Sequence, residues 1–288
     1  MKVIRVILSL ILSFCLILIV AIILGKSILE NKILNKNYLL EKMDETEVYL
    51  QVSRAVTSGF ENYIYQSGLP EDTIKDLYTE EMIKNDVNSL VNSMYEGTDI
   101  KLSDDIVRNN LNQKIDAYVE SQGLKLNKQG RENIEQFEDL IIEEYKNNVN
   151  SSYGFASTLY SDLNGIINNL QKVSSLIGIW PYVALVIAII FIVLINIKDL
   201  LSAIGYIGIS SLSLGILIKM SVNLIFENFK IDNFVLFSQA MTNLVINIIK
   251  EILYGLSDKG MLFIVCGIIA IIVSAAFKSI SKSKLRDE

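Results

Sequence analysis

From Val6 to Gly25 the chain runs for 20 residues without a charge, and no other feature constrains its fold as strongly. At about 1.5 Å of rise per residue, a helix of that length spans about 30 Å, the thickness of a bilayer's hydrocarbon core. Three further apolar runs follow, Ile179 to Ile197, Leu200 to about Met220, and Met261 to Phe277. Hydrocarbon offers no partner to an open backbone N–H or C=O, so each run is expected to cross as an α-helix.

The ends of the runs set their orientation. Trp180, Pro181 and Tyr182 open the second run, placing aromatic rings at an interface and proline in a first helical turn, where it is tolerated. Lys198 and Asp199 leave only a tight turn before the third. Lys2 and Arg5 precede the first run, and Lys278, Lys282, Lys284 and Arg286 follow the fourth. Basic flanks are retained in the cytoplasm, so both termini are expected there. The first run lacks a clear small-x-small cleavage site and is read as an uncleaved signal anchor. Residues 234 to 256 are also apolar, but Gln239, Asn243, Asn247, Lys250 and Tyr254 recur every three or four positions. That spacing predicts an amphipathic helix on the outer leaflet or above the bundle, giving four spans and not five.

Between the first two runs, residues 26 to 175 carry 15 Lys and Arg against 25 Asp and Glu, a net −10 in a chain whose total is −6. Their apolar residues recur at helical spacing: Val52, Val56 and Phe60; Ile83, Val87, Leu90 and Val91; Leu111 and Ile115; Ile141 and Tyr145. The fold class is therefore all-α, a four-helix transmembrane bundle with a large helical extracytoplasmic domain. The expected divisions are 1–25, the N-terminus and first span; 26–176, the acidic domain; 177–225, a hairpin of two spans; 226–260, the amphipathic helix; and 261–288, the fourth span and a basic tail. The first stretch of the domain is expected to prolong the anchor helix outward. Thr79, Ser103 and Asn127 are expected helix caps, Pro70 the start of a short helix to Leu77, and Ser151 the start of a helix running on toward the second span.

Much chemistry is excluded. The chain has no histidine, which removes imidazole triads and histidine metal sites. Cys15 and Cys266 both lie in apolar runs, where they serve as small packing residues. Glycine-rich phosphate loops and a Gly-x-Ser-x-Gly elbow are missing. No cofactor or metal is expected, no enzymatic activity, and no nucleic-acid partner for so acidic a domain. The pairs Glu71-Asp72, Glu80-Glu81, Asp104-Asp105 and Glu143-Glu144 are read as helix-start and solvated-face carboxylates.

Within the membrane, the third run carries Gly208, Ser211 and Gly215, with Lys219 toward its outer end, and the fourth carries Gly267, Ala270 and Ser274. Small residues on one face let helices pack closely or associate between copies, and a serine-lined face could also form a solute path. The ammonium of Lys219 is expected to snorkel to the interface.

The stretch Tyr63 to Asp72, continuing through Leu77 to Glu81 and Met94 to Gly97, resembles uncharacterised membrane proteins of low-GC Gram-positive bacteria, in keeping with the abundance of Ile, Asn and Lys. In layout, one span, a large outer domain and three more spans resemble the FtsX-type permeases, a likeness that implies transmission of ATPase motion to outer partners. The leading expectation is a non-enzymatic envelope protein, anchored in the lipid bilayer, whose acidic domain binds a protein partner or senses a condition, and which can also homo-oligomerise. The alternative is a channel or transporter component.

Overall fold

The computed structural model describes residues 2–151, 157–233, 235 and 239–284. Among them every regular element is helical: α1 (Lys2–Ile28), α2 (Lys36–Glu45), α3 (Val48–Ser67), α4 (Glu80–Glu96), α5 (Asp104–Ser121), α6 (Lys128–Ser151), α7 (Ser157–Ile177), α8 (Trp180–Ile195), α9 (Leu200–Phe229) and α10 (Gln239–Lys284). The chain forms two compact units, a membrane unit of 1–33, 171–233 and 246–288, and an acidic domain of 34–170 and 234–245.

Four helical stretches are long and apolar enough to cross a bilayer, Val3–Ile33, Asp162–Ile195, Leu200–Asn233 and Met241–Ser279. The chain is thus an integral membrane protein of the all-α class. Three of the stretches hold charge-free cores of 20, 19 and 18 residues, at 6–25, 200–218 and 260–277, each about 27 to 30 Å of helix. The outward faces of the spanning stretches are apolar and open, as at Phe14, Ile190, Leu262 and Ile272, which suits contact with lipid chains.

Within the membrane unit, α1 packs on α8 and α9 around Leu16, Ala188, Ile192 and Ala203. Asn196 Nδ2 donates to Ser9 Oγ at 2.9 Å, and Lys278 Nζ donates to Ser202 Oγ at 2.6 Å. These bonds gather the start of α1, the α8–α9 turn and the late part of α10 at one end of the bundle. Asp199 caps α9 by accepting from Ser202 N at 3.1 Å and Ser202 Oγ at 2.6 Å, and the hydroxyl bond holds its carboxyl below the usual range.

The fourth span departs from the expected division at 260/261. Residues 239 to 284 form one unbroken helix of 46 residues, about 69 Å long, so the amphipathic stretch and the span are a single rod. Gly255 and Gly260 lie inside it; without proline or a capping side chain, glycine weakens a helix but does not end it. Phe237 and Ser238 lie outside the described residues. The entry to the second span does break: Gly178, at φ +49°, separates α7 from α8. Ser151, the expected start of the helix running on toward the second span, is the last residue of α6, and the residues directly after it lie outside the described ones.

The acidic domain also differs from a simple outward extension of α1. A π-helical turn, Leu29–Ile33, ends that helix, and Asn35 caps α2 by accepting from Tyr38 N at 3.2 Å. Glu47, at φ +55°, then turns the chain into α3. From there the predicted stripes become the core. Helix α3 buries Val48, Val52, Val56, Phe60 and Ile64, one residue every four, and lies against α4 and α6. Thr79 caps α4 by accepting from Met82 N at 3.2 Å, and Asn127 Oδ1 accepts from Gly130 N at 2.8 Å as α6 begins. The helix after Pro70 is only the single 3₁₀ turn Glu71–Thr73, because Asp76 adopts φ +58° before Leu77 is reached.

Candidate functional site

The small residues singled out in the third and fourth spans come together in one seam. Gly208 and Gly215 on α9, and Gly260, Gly267 and Ser274 on α10, repeat every seven residues, which keeps small side chains on a single stripe of each helix. The helices run antiparallel along it. A Cβ at Gly208 would stand 2.9 Å from Ala270 Cβ and 3.0 Å from Gly267 O; one at Gly215 would stand 2.5 Å from Gly260 O; one at Gly267, 2.5 Å from Leu212 N. No larger residue fits such backbone-to-backbone approach, so the seam is glycine because it is close.

The hydroxyls along the seam are spent on the backbone. Ser211 Oγ donates to Phe263 O of the facing helix at 2.8 Å, and Ser274 Oγ donates to Leu201 O at 2.5 Å. Ser210 Oγ turns back onto Tyr206 O of its own helix at 2.9 Å. A cavity of about 170 Å³ at this level is walled by Leu16, Leu185, Ile207, Leu214 and Phe263 beside Ser210 and Ser211. Chemically the arrangement bonds and closes two helices; it does not present a polar wall.

Lys219 lies at the other end of the seam from Asp199, and its Nζ donates to Ser257 Oγ at 2.8 Å. Other charges collect at this end of the membrane unit: Lys32 pairs with Glu251 at 2.6 Å, Glu30 accepts from Lys26 at 2.7 Å and from Ser174 at 2.5 Å, and Lys250 pairs with Asp232. Lys219 thus lies with the other charges at this end of the membrane unit, 20 residues and about 30 Å of helix from Asp199.

Two polar groupings were not singled out by sequence. In the membrane unit, Asn196, 1% exposed, gives both amide hydrogens to Ser9 Oγ and Ile192 O at 2.9 Å. Its signal was the pair Ser9 and Ser13, four residues apart in an otherwise apolar run. In the acidic domain, Asp86, 2% exposed, accepts from Tyr145 Oη at 2.7 Å, Ser103 N at 2.8 Å and Ser103 Oγ at 2.6 Å. Ser103 therefore spends its hydroxyl across the domain and does not cap α5 with it. Burial, then the bond to Asp86, pushes the Tyr145 hydroxyl far above its ordinary range. Glu138, buried beside Arg108 at 3.7 Å and the Asn112 amide, has its carboxyl raised by burial.

The acidic pairs do not converge. Asp104 pairs with Lys146 at 2.5 Å and Asp72 with Lys75 at 3.6 Å, and among the described residues no three carboxylates or thiols come within reach of one metal ion. Comparison with protein-family models, with curated proteins and with solved structures found no match to this chain.

Proposed function

We propose that this is a multi-pass protein of a bacterial cell envelope, both termini cytoplasmic, whose acidic helical domain lies outside and binds or senses a partner while the four spans anchor it. On this reading the chain is not an enzyme. The observation that carries the proposal is the closed seam. With Ser211 and Ser274 bonded to carbonyls of the facing helix, and the glycines at backbone contact, the spanning helices supply packing and not a route. The same seam tells against a solute path of the permease type. Recognition then falls to the domain, whose core is filled by Phe60, Met43, Leu90 and Tyr145 and pinned by the Asp86 bonds. A surface held so firmly loses little freedom when a partner docks, which favours binding.

The test is cross-linking in intact cells followed by recovery of partners. Deleting residues 34–170 should abolish the partner set while the spans still insert. An unchanged set would overturn the assignment of binding to the domain, and solute flux through the pure protein in liposomes would overturn the anchoring role of the spans.

A further inference from the structure

A groove of about 330 Å³ opens between α9 and α10 at the end of the membrane unit that holds Asp199. Its floor is Gly205, where a Cβ would come 3.0 Å from Ser274 Oγ. Its inner walls are Ile209, Ile271 and Ala275, and its mouth is Ser202 and Lys278. Ile209 and Ala275 are exposed, so the groove faces the lipid and not the bundle interior. In a bilayer such a groove is not empty: it takes up acyl chain, and what remains to be decided is which lipid it holds.

We propose that this groove is a binding site for an anionic phospholipid, one chain lying along Ile209 and Ile271 and the phosphate held at the mouth by the Lys278 ammonium. Charge decides the class of headgroup. Lys278 Nζ is 2.6 Å from Ser202 Oγ and 3.6 Å from Asp199 Oδ2, with its side chain 39% exposed. The Asp199 carboxylate is already engaged by Ser202 N and Oγ as the cap of α9, so it takes only a loose hold on the ammonium. Lys198 stands next to Asp199, and Lys282 and Lys284 follow Lys278 along the same helix. Basic positions beside a lipid-facing groove attract anionic headgroups at about fivefold per charge. The depth also fits: from Lys278 to Ile271 is seven residues, about 10 Å of helix below the headgroup level.

Native mass spectrometry of the full chain, with phosphatidylglycerol or phosphatidylcholine added in equal amounts, tests the site. The wild type should retain phosphatidylglycerol about fivefold better. Lys278→Gln should lower the preference about fivefold, Ala275→Phe, which fills the groove from an exposed position, should lower it as far, and Lys278→Arg should keep it. Circular dichroism confirms that each variant is folded. Equal retention of the two lipids by the wild type, or an unchanged preference in Lys278→Gln, would overturn the proposal. Loss in Lys278→Gln but not in Ala275→Phe would overturn the groove as the seat of the lipid. Glycerol 3-phosphate, a head without chains, should not displace the lipid; displacement would assign the site to a soluble phosphate instead.

Discussion

The acidic domain and the membrane unit are built on opposite rules. In the domain the large residues are inside: Phe60, Met43, Leu90, Ile115 and Tyr145 are 0 to 1% exposed. In the membrane unit many large residues face out, Phe14 at 61% and Ile272 at 60%, while Ser9, Asn196, Ala203, Ser210 and Ser274 are buried beside Leu16 and Ile192. Water drives the first arrangement through the area it removes from solvent. In lipid that drive is gone, and helices associate through close backbone approach and bonds between polar groups. The contrast shows that one chain obeys two solvents, and that each unit's interior identifies which.

Matched substitutions put this contrast at risk. The largest difference is expected between two phenylalanines. Phe60→Ala should cost about 3 to 5 kcal/mol, whereas Phe14→Ala, at a lipid-facing position, should stay within about 0.5 kcal/mol; chemical denaturation of the full chain in detergent measures both. Equal costs would mean that the two interiors follow one rule. Next come two glycines. Gly215→Ala should destabilise by about 1 to 3 kcal/mol through overpacking against Gly260 and Ile264. Gly165→Ala in α7, with nothing within 4 Å of its Cβ, should stabilise by about 0.5 to 1 kcal/mol.

A smaller effect concerns pH. Because burial raises the Glu138 carboxyl above its ordinary 4.5 in the folded state, the native domain binds that proton more tightly than the unfolded chain. Its contribution is therefore fully favourable below about pH 4.5 and is lost as pH rises through the raised native value. Glu138→Gln should flatten this dependence, with denaturation midpoints at pH 4 and pH 8 drawing closer together than in the wild type; a steeper dependence in the variant would contradict the sign. The smallest effect is expected at Lys84, paired with Asp44 at 2.6 Å where both side chains are about half exposed. Lys84→Ala should cost about 0.2 to 1 kcal/mol and the difference should fade in high salt.

How much of this was legible beforehand depends on which solvent did the selecting. The domain's stripes at Val52-Val56-Phe60 and Ile83-Val87-Leu90 were visible because water enforces period. Asp86 was written into that same pattern, three residues after Ile83 on the inward face, but a single carboxylate on a stripe does not reveal its partners at Ser103 and Tyr145. The seam residues Gly208, Gly215 and Gly267 were legible as small, while their contact distances required the register between helices. The bends at Asn35 and Glu47 were hidden because Glu in a left-handed conformation follows from tertiary packing and not from local preference. The continuity of α10 was hidden for a related reason: the polar repeat from Gln239 to Tyr254 and the apolar run after Met261 differ in the medium each suits, yet share one helical backbone.

Trp180 offers a last consequence. It is the sole tryptophan in the chain, it opens α8, and it is 73% exposed. The protein therefore carries a single native indole fluorophore, excitable apart from its tyrosines, at the edge of one span. Its emission maximum, and its quenching by lipids brominated at graded depths, register where that edge sits against the bilayer without any label. Any tilt or sliding of α8 would be written directly into that one spectrum.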